Sequence, residues 1–413
     1  MTLDIRPLTP ADHGPEHYDL SVRAFGHQDE ARFMANSERF LADGRGLGAF
    51  DDGRLVGAAL YHDMRQWWYG RPVPMAGVAG VKVAPECRGG GVGRALMTAL
   101  TGLMTSRGYP LCTLYAATMP FYRKLGWELA GAHYEAVLPA RSLLELARPA
   151  GTRDVQVRRP GPADAAEILD IIGRVHEQAR DCGPVTFDEA TMRRWLTGPD
   201  GRYAGSRNYA YLAPDGVAGY AWSGGGHEEI FVDRVLAMTP ETTSALWSVI
   251  ASHSSVASKI RARVGLRDPL WWLLREQDAQ IGYRDPWMLR LLDAPAAIAA
   301  RGFPAVDLAV PLQITDDLCP HNSGWWQLTV RAGKAQLIRT TRGSRPAESS
   351  PSTPGRPGDE PPLALGARGL AALYAGTPVA TLRRTALATG GTPEADAALD
   401  AAFAATPYML DSF

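Results

Sequence analysis

The segment Arg88-Gly89-Gly90-Gly91-Val92-Gly93 has the residue types of a phosphate-binding turn. It follows an apolar run, Val78 to Val83, that predicts a strand, and it precedes leucines spaced three or four apart, which predict an amphipathic helix. The start of such a helix offers free N–H groups and the positive end of the helix dipole to an anion. Glycines let the backbone approach a phosphate, and Arg88 adds a permanent charge. The segment predicts a phosphate site, and a ligand-free tight turn is the alternative.

Two common phosphate motifs do not fit this segment. A dinucleotide fingerprint requires Gly-x-Gly-x-x-Gly with an acidic residue about twenty positions later. A P-loop ends in Gly-Lys-Ser/Thr, whereas Gly93 is followed by Arg94 and Ala95. The remaining pattern, Arg-x-x-Gly-x-Gly after a strand, resembles the pyrophosphate loop of GNAT-type N-acetyltransferases, which bind acetyl-coenzyme A.

Cysteine and histidine chemistry is not indicated. The four cysteines, at 87, 112, 182 and 319, include no pair at metal-ligand spacing, and the nine histidines are dispersed. The sequence therefore predicts no metal site and no disulfide framework, which is typical of a reducing cytoplasm. Because Cys87 and Cys112 have no base partner in the sequence, a mechanism through an acyl-cysteine is not favoured.

The size and charge of the chain restrict its partners. A length of 413 residues suggests two or three domains. With 43 basic and 44 acidic residues and no Lys/Arg run, nucleic acid is not an expected partner. The N-terminus has no signal-peptide pattern, and no apolar run reaches the roughly 18 residues of a membrane span. We expect a cytoplasmic protein without a membrane span.

Residues 1–145 read as one mixed α/β unit. A strand is predicted at 54–61, and the helix after the glycine segment is expected to end at Gly108. Tyr109 to Ala116 predicts a buried strand, and Pro120 begins a short helix. Proline, glycine and charges at 141–153 mark a boundary.

Residues 154–293 repeat this outline. A strand at 217–222 and a long strand at 230–238 precede a helix with Thr239 as N-cap and Pro240 as its first residue. No glycine-rich turn precedes that helix, and Glu241 would repel a phosphate. The unit reads as the same fold without a coenzyme site, unless the similarity is chance.

Residues 294–413 form a third unit. Strands are predicted at 306–310, 325–330 and 335–340, a mobile loop at 342–362, and helices at 364–374 and 393–404. The chain ends in an apolar segment, which is unusual for a terminus.

The whole chain resembles the enhanced intracellular survival (Eis-like) N-acetyltransferases. The features that carry the resemblance are the segment at 88–93, Phe121 to Trp127, the glycine-free second copy, Leu289 to Ala297, and Leu399 to Ala404 before a terminal Phe. The resemblance implies an α/β (α+β) fold with two tandem GNAT-type domains, of which only the first is active. It also implies a sterol carrier protein-like C-terminal domain that supplies the terminal carboxylate, and a homo-hexamer.

The resemblance also implies site residues. The general acid of the family is a tyrosine, which maps to Tyr122, and its general base is the terminal carboxylate, which maps to Phe413. The acetyl-coenzyme A contacts map to Val81, Lys82, Val83, Arg88, Gly89, Gly90, Gly91, Val92, Gly93, Arg94, Ala117 and Thr118.

The acceptor is expected to be a primary amine of a small molecule or a peptide. Aminoglycosides are acceptors in the family, but the positions that match acidic residues of such members are Ser412 and His27 here. A lysine side chain, a peptide N-terminus or a natural-product amine are alternatives, as is a larger acyl group. A non-catalytic protein that binds coenzyme A or lipid is a further alternative. The charges of Lys82 and Arg94 either pair with phosphates or lie solvated on the surface.

Overall fold

The computed structural model describes residues 3–27, 29–146, 149–197, 208–222, 229–341 and 361–413. Its strands are β1 (Leu3–Pro7), β2 (Gly46–Asp51), β3 (Arg54–Trp68), β4 (Arg71–Val83), β5 (Leu111–Tyr115), β6 (Glu128–Pro139), β7 (Val185–Thr186), β8 (Asn208–Ala213), β9 (Gly216–Trp222), β10 (Glu229–Ala237), β11 (Lys259–Val264), β12 (Gln280–Leu291), β13 (Leu308–Thr315), β14 (Gly324–Arg331), β15 (Lys334–Thr340), β16 (Leu363–Gly366) and β17 (Ala388–Gly390).

The α-helices cover the faces and ends of these strands. They are α1 (Pro15–Phe25), α2 (Glu30–Ala42), α3 (Val92–Ser106), α4 (Met119–Arg123), α5 (Ala165–Ala179), α6 (Glu189–Trp195), α7 (Pro240–Ala251), α8 (Leu270–Leu273), α9 (Ala294–Ala300), α10 (Ala367–Tyr374), α11 (Val379–Arg384) and α12 (Pro393–Phe403). Within the described ranges, every helix is too short or too polar to cross a bilayer.

The first two units share one sheet. Among the described residues it has twelve strands, in the order β1-β2-β3-β4-β5-β12-β6-β11-β10-β9-β8, with β7 paired to β3. Strand β12, from the end of the second unit, lies between β5 and β6 of the first, and β6 pairs with β11. The two units therefore exchange strands, and the sheet continues across the boundary predicted at 141–153.

The hairpin of β3 and β4 is longer than the predicted strands. Pairing extends to Trp68↔Arg71, and the turn between them has Tyr69 and Gly70 at φ of 50° and 72°. The sequence indicated only the apolar segments of both strands because Pro72 and Pro74 weaken the pattern. Both prolines precede the point where β5 joins β4, so they lie where proline is tolerated.

Helix α3 agrees with the predicted helix. It begins at Val92 and ends at Ser106, and Gly108 adopts φ of 79° two residues later. Leu96, Leu100 and Met104 are buried in the core beneath the first half of the sheet. The packing of this apolar stripe fixes where the helix begins, and with it the glycine segment.

The third unit has its own sheet, which among its described residues has five strands in the order β15-β14-β13-β16-β17. The helix predicted at 364–374 is wrong at its start, because Leu363–Gly366 forms β16 and α10 begins at Ala367. Parallel pairing with β13, which lies about 50 residues earlier in the chain, selects the strand. Most of the loop predicted at 342–362 lies outside the described residues.

The C-terminal segment, residues 404–413, contacts both of the first two units, and its residues 409–411 are buried. The Tyr408 N–H donates to the Cys182 carbonyl, and the Met409 N–H donates to the Ala132 carbonyl. The side chains of Met409, Leu410 and Asp411 are buried. Contacts from several strands hold this segment in place, so the usual expectation that a terminus frays does not apply to it.

Candidate active site

Strands β4 and β5 separate and leave a cleft between them. Their parallel pairing covers only Met75↔Leu111 to Gly77↔Thr113. A bulge opposite Ala59, with Gly80 at φ of 59°, then bends β4. From Val78 to Val83 the edge of β4 toward β5 has no strand partner in the described part of the chain. This β4–β5 cleft presents backbone groups that can bond an extended ligand.

The glycine segment lies at the open end of this cleft. Gly89 and Gly91 have φ of 83° and 86°, and Gly91 is the N-cap of α3. A Cβ built on either glycine would meet no atom within 4 Å, so they are required for backbone conformation and not for space. The Arg88 Nε lies 3.4 Å from the Val83 carbonyl oxygen, which links the segment to the end of β4.

The N-termini of α3 and α7 differ. Gly91 provides no side chain to cap α3, so the first N–H groups of that helix face the open side of the segment. The Thr239 side chain accepts a hydrogen bond from the Thr242 N–H and so caps α7. The N-terminus of α3 in the first unit is therefore open to an anion. The N-terminus of α7 in the second unit is capped by the Thr239 side chain.

Three elements of the predicted coenzyme site meet at Gly93. A Cβ built there would lie 3.4 Å from the Phe121 Cζ and 3.6 Å from the Val83 Cγ2. The rings of Phe121 and Tyr122 are adjacent, with centroids 4.9 Å apart. Both rings belong to helix α4, and Ala117 and Thr118 immediately precede that helix. The structure thus brings the end of β4, the glycine segment and the start of α4 together.

The Lys82 side chain is buried, so it is not a solvated surface charge. Its ammonium lies 5.1 Å from the Phe33 ring centroid, and desolvation lowers its pKa to about 8. Burial and the nearby Lys82 charge lower the pKa of His17 to about 3. The Lys82 carbonyl points toward Gly57 of β3, so this residue presents neither its ammonium nor its carbonyl to the cleft, and Arg94 is exposed at the start of α3.

Tyr122 is a buried phenol. Its side chain packs in the core of the first unit, where the Trp127 ring centroid is 6.3 Å away. Desolvation raises its pKa to about 12. The phenol is therefore neutral across the physiological range, and it can act as a hydrogen-bond and proton donor.

Phe413 lies at the closed end of the β4–β5 cleft. A Cβ built on Gly77 would lie 2.8 Å from the Phe413 Cε2, so only glycine allows this contact. The Phe413 ring also contacts Tyr115 and His62, with centroid distances of 5.6 and 6.1 Å. The sequence did not indicate Tyr115, because it lies within a predicted buried strand, or His62, because it is a single histidine just after the strand predicted at 54–61.

Side chains of the second unit hold the segment that leads to Phe413. The Arg234 Nη2 donates to the Asp411 Oδ1 at 2.7 Å, and the Arg263 Nη1 donates to the Leu410 carbonyl oxygen at 2.7 Å. Asp233 accepts from both arginines, at 3.1 Å each. We call these three residues, Asp233, Arg234 and Arg263, the tail clamp. In the sequence, the sign of this site is the Asp233-Arg234 pair inside the otherwise apolar strand β10, because buried charges require partners.

Tyr115 joins the clamp from the first unit. Its hydroxyl donates to the Asp411 carbonyl oxygen at 2.8 Å. Asp411 is therefore bonded through its side chain to one unit and through its backbone to the other. These bonds fix the chain two residues before Phe413.

Cysteine and metal chemistry gain no support from the geometry. Burial raises the pKa of the Cys112 thiol, so this residue is not a thiolate. Within the described ranges there is no cluster of three His, Cys, Asp or Glu side chains that could hold a metal ion.

Three family models match the chain. Two describe an acetyltransferase (GNAT) domain and cover residues 4–130 and 185–291, and one describes a sterol carrier protein domain and covers residues 294–410. These matches confirm the predicted fold class, two tandem GNAT-type domains followed by a sterol carrier protein-like domain.

Solved and curated proteins are similar over most of their length. The crystal structure of a GCN5-related N-acetyltransferase from Kribbella flavida is 39% identical with a TM-score of 0.88, and the match covers 100% of this chain and 98% of that one. The N-acetyltransferase Eis of Mycobacterium tuberculosis is 28% identical over 311 residues, which are 73% of this chain and 74% of that protein. The structure of Eis1 from Mycobacterium abscessus shares the fold, with a TM-score of 0.76, 24% identity and 100% of both chains covered.

Proposed function

Because the chain belongs to the GCN5-related N-acetyltransferases and is Eis-like within them, we propose that it transfers acetyl from acetyl-coenzyme A directly to a primary amine. Tyr122 is the proposed general acid, and the terminal carboxylate of Phe413 is the proposed general base. The observation that carries the proposal is the position of Phe413, the last residue of the chain, against Gly77 at the closed end of the β4–β5 cleft.

The donor site is supported by the shape of the first domain. A pyrophosphate would lie at the uncapped start of α3, where Gly89 and Gly91 leave open space and Arg88 adds charge. The pantetheine arm would follow the unpaired edge of β4 past Val83 and Val81, with Ala117 and Thr118 on the other side of the cleft. Backbone N–H groups at this edge would polarise the thioester carbonyl.

Two groups of the first domain and the C-terminal segment would move protons during the transfer. An amine with a pKa near that of lysine, about 10, is mostly charged at neutral pH and must lose a proton before it attacks. The Phe413 carboxylate would accept that proton, directly or through water. The Tyr122 hydroxyl, which burial keeps neutral, would donate a proton to the leaving thiolate.

The acceptor site has an aromatic wall. The His62 ring lies between Phe40 and Phe413, at centroid distances of 4.7 and 6.1 Å. Asp411 is the acidic side chain closest to Phe413 in sequence, but it bonds Arg234. These features favour an amine on an apolar or aromatic body over a polycationic aminoglycoside, which requires several free carboxylates.

A thiol-release assay with acetyl-coenzyme A tests the proposal. The panel comprises aromatic and aliphatic amines, lysine peptides and an aminoglycoside, and mass spectrometry identifies the acetylated product. We expect amine-dependent thiol release, strongest for monoamines with an apolar body. Coenzyme binding without acetylation of any amine would support the non-catalytic alternative. Acetyl bound to a cysteine side chain of the protein would contradict direct transfer.

We also propose the homo-hexamer implied by the family resemblance. Light scattering on the eluting peak of a sizing column should give six times the chain mass, and a stable monomer would contradict it.

A further inference from the structure

A cavity of about 400 Å³ lies where the first domain meets the third. This volume is within the range of ligand pockets, roughly 300–1,000 Å³. Two acidic side chains line it, Asp316 and Asp317. Five basic side chains line it as well, Arg94, Arg123, Lys124, Arg290 and Arg368. We call it the basic cavity.

The Arg290 guanidinium lies at the wall of this cavity and has hydrogen-bond donors without a nitrogen or oxygen partner among the described residues. Its side chain is 1% exposed, and its Nη2 donates to the Asp316 Oδ1 at 2.6 Å. The Cys319 side chain also interacts with the guanidinium, and within the described ranges the Nε and Nη1 have no nitrogen or oxygen partner. A Cβ built on Gly126 would overlap the Nη1 and lie 3.0 Å from the Ala367 Cβ, and both residues line the cavity. The buried guanidinium therefore adds positive charge to this wall of the cavity.

A helix also begins at the cavity. Helix α10 has eight residues, and its N-cap, Gly366, has no side chain to bond the first N–H groups. Gly366, Ala367 and Gly369 all line the cavity, so small side chains leave these backbone groups accessible. The positive end of the helix dipole therefore adds to the basic side chains.

The cations of the cavity are not fully neutralised by protein carboxylates. Glu128 pairs with both Arg123 and Arg368. In the described part of the chain, Arg94 and Lys124 have no ion-pair partner. Since Asp316 is bonded to Arg290, Asp317 remains as the one opposing charge among the described lining residues.

We propose that the basic cavity binds a phosphate group. One source is the 3′-phosphate of coenzyme A, which rests on the proposed function, and the other is a free phosphate or pyrophosphate. The first source fits the position of Arg94, which lies three residues, or about 4.5 Å along the helix axis, beyond the N-cap of α3. In both cases the third domain contributes to ligand binding through Arg368 and α10.

Calorimetry on the full chain separates the two sources. The ligands are coenzyme A, 3′-dephospho-coenzyme A and inorganic pyrophosphate, and the test variant is Lys124→Gln with Arg368→Gln. The control is Arg331→Gln, which removes an exposed charge of the third domain outside the cavity. Thermal unfolding of each variant shows whether the fold is kept.

If the cavity binds the 3′-phosphate, the wild type should bind coenzyme A at least about tenfold more tightly than the dephospho form, because hydrogen bonds to a charged group contribute about that much to affinity. The test variant should lose this preference and keep its affinity for the dephospho form. For a free anion, both coenzyme forms bind alike, and pyrophosphate binds the wild type and the control but not the test variant.

The proposal would be overturned if each of the three ligands bound the test variant with the same affinity as the wild type. If neither coenzyme form binds the wild type, the proposed donor is wrong. In that case the pyrophosphate titration still decides whether the cavity binds phosphate.

Discussion

The guanidinium of Arg234 and the carboxylate of Asp411 form a 2.7 Å ion pair that is buried from solvent. Arg234 belongs to β10 of the second domain, and Asp411 lies two residues before the end of the chain. The pair connects the second domain, whose helix α7 follows no glycine-rich turn, to the segment that leads to Phe413, the proposed base. The second domain therefore holds the C-terminal segment, and in the proposed mechanism it contributes to the active site of the first domain in this way.

Arg234→Ala should lower kcat at least about tenfold and leave the affinity for acetyl-coenzyme A unchanged, because the cleft remains and only the base is displaced. Loss of one member of a buried pair should also cost about 3–5 kcal/mol of stability. Steady-state kinetics, calorimetry and urea unfolding measure the three quantities.

The control for this prediction is Arg174→Ala, which removes an exposed helical pair with Asp170 in the same domain. Its turnover and stability should stay close to the wild type. If Arg234→Ala is stable enough to purify and turns over normally, the tail clamp has no role in the reaction.

Gly91→Val should abolish measurable binding of acetyl-coenzyme A. The position has φ of 86°, which valine adopts only with strain, although there is open space for its side chain. The substitution would also place a branched side chain over the N–H groups of the first turn of α3. Calorimetry measures the effect.

Gly102→Ala in the same helix is the matched control. It lies in the helix interior with no atom within 4 Å of a built Cβ, so it should keep coenzyme affinity and gain up to about 1 kcal/mol of stability. Wild-type affinity in Gly91→Val would remove the phosphate site from this segment.

Tyr122→Phe should lower kcat roughly a hundredfold and leave coenzyme affinity unchanged, because it removes only the proton donor. Since the pKa of Tyr122 is raised to about 12, this group stays protonated below that pH. The pH profile of the wild type should therefore show no Tyr122 ionisation between pH 6 and about 11. Stopped-time assays across pH measure both effects.

Tyr220→Phe serves as the control, because Tyr220 is a buried tyrosine of the second domain that bonds His253. Its kcat should match the wild type. Unchanged turnover in Tyr122→Phe would exclude the phenol as general acid.

Lys82→Met should change the pH dependence of stability. Burial lowers the pKa of Lys82 to about 8 in the folded state, from 10.5 for an unperturbed lysine. Between these values the unfolded chain binds more protons than the folded one, so the free energy of unfolding rises with pH in this window. The variant should lack this rise and be more stable than the wild type below pH 8.

Urea unfolding from pH 7 to 10.5 compares the two proteins. The affinity for acetyl-coenzyme A should be unchanged in Lys82→Met, because the ammonium packs on Phe33 and is not directed at the cleft. Identical pH slopes would show that Lys82 is not buried as a low-pKa amine.

Local sequence signals predicted the features that depend on neighbouring residues. The glycine segment, the limits of α3 and the Thr239 cap of α7 each follow from residues within one or two turns. The assignment of the first domain as the active copy also came from a local difference, the missing glycines before Pro240.

Features that depend on distant partners could not be read from the sequence. The insertion of β12 beside β5 joins residues about 175 positions apart, and β16 pairs with β13 and β17, which lie far from it in the sequence. Burial of Lys82 depends on the packing of α1 and α2 over β4. The tail clamp depends on the path of the C-terminal segment, and the residues around Asp233 in the sequence do not indicate that path.

The most direct test of the account replaces the α-carboxylate of Phe413 by a carboxamide through protein ligation. A ligated chain with the same junction and a free carboxylate is the control. The amide keeps the ring against Gly77 and removes only the charge, so acetyl-coenzyme A affinity should be unchanged while kcat falls at least about a hundredfold. Full turnover by the carboxamide protein would contradict the assignment of the terminal carboxylate as the general base.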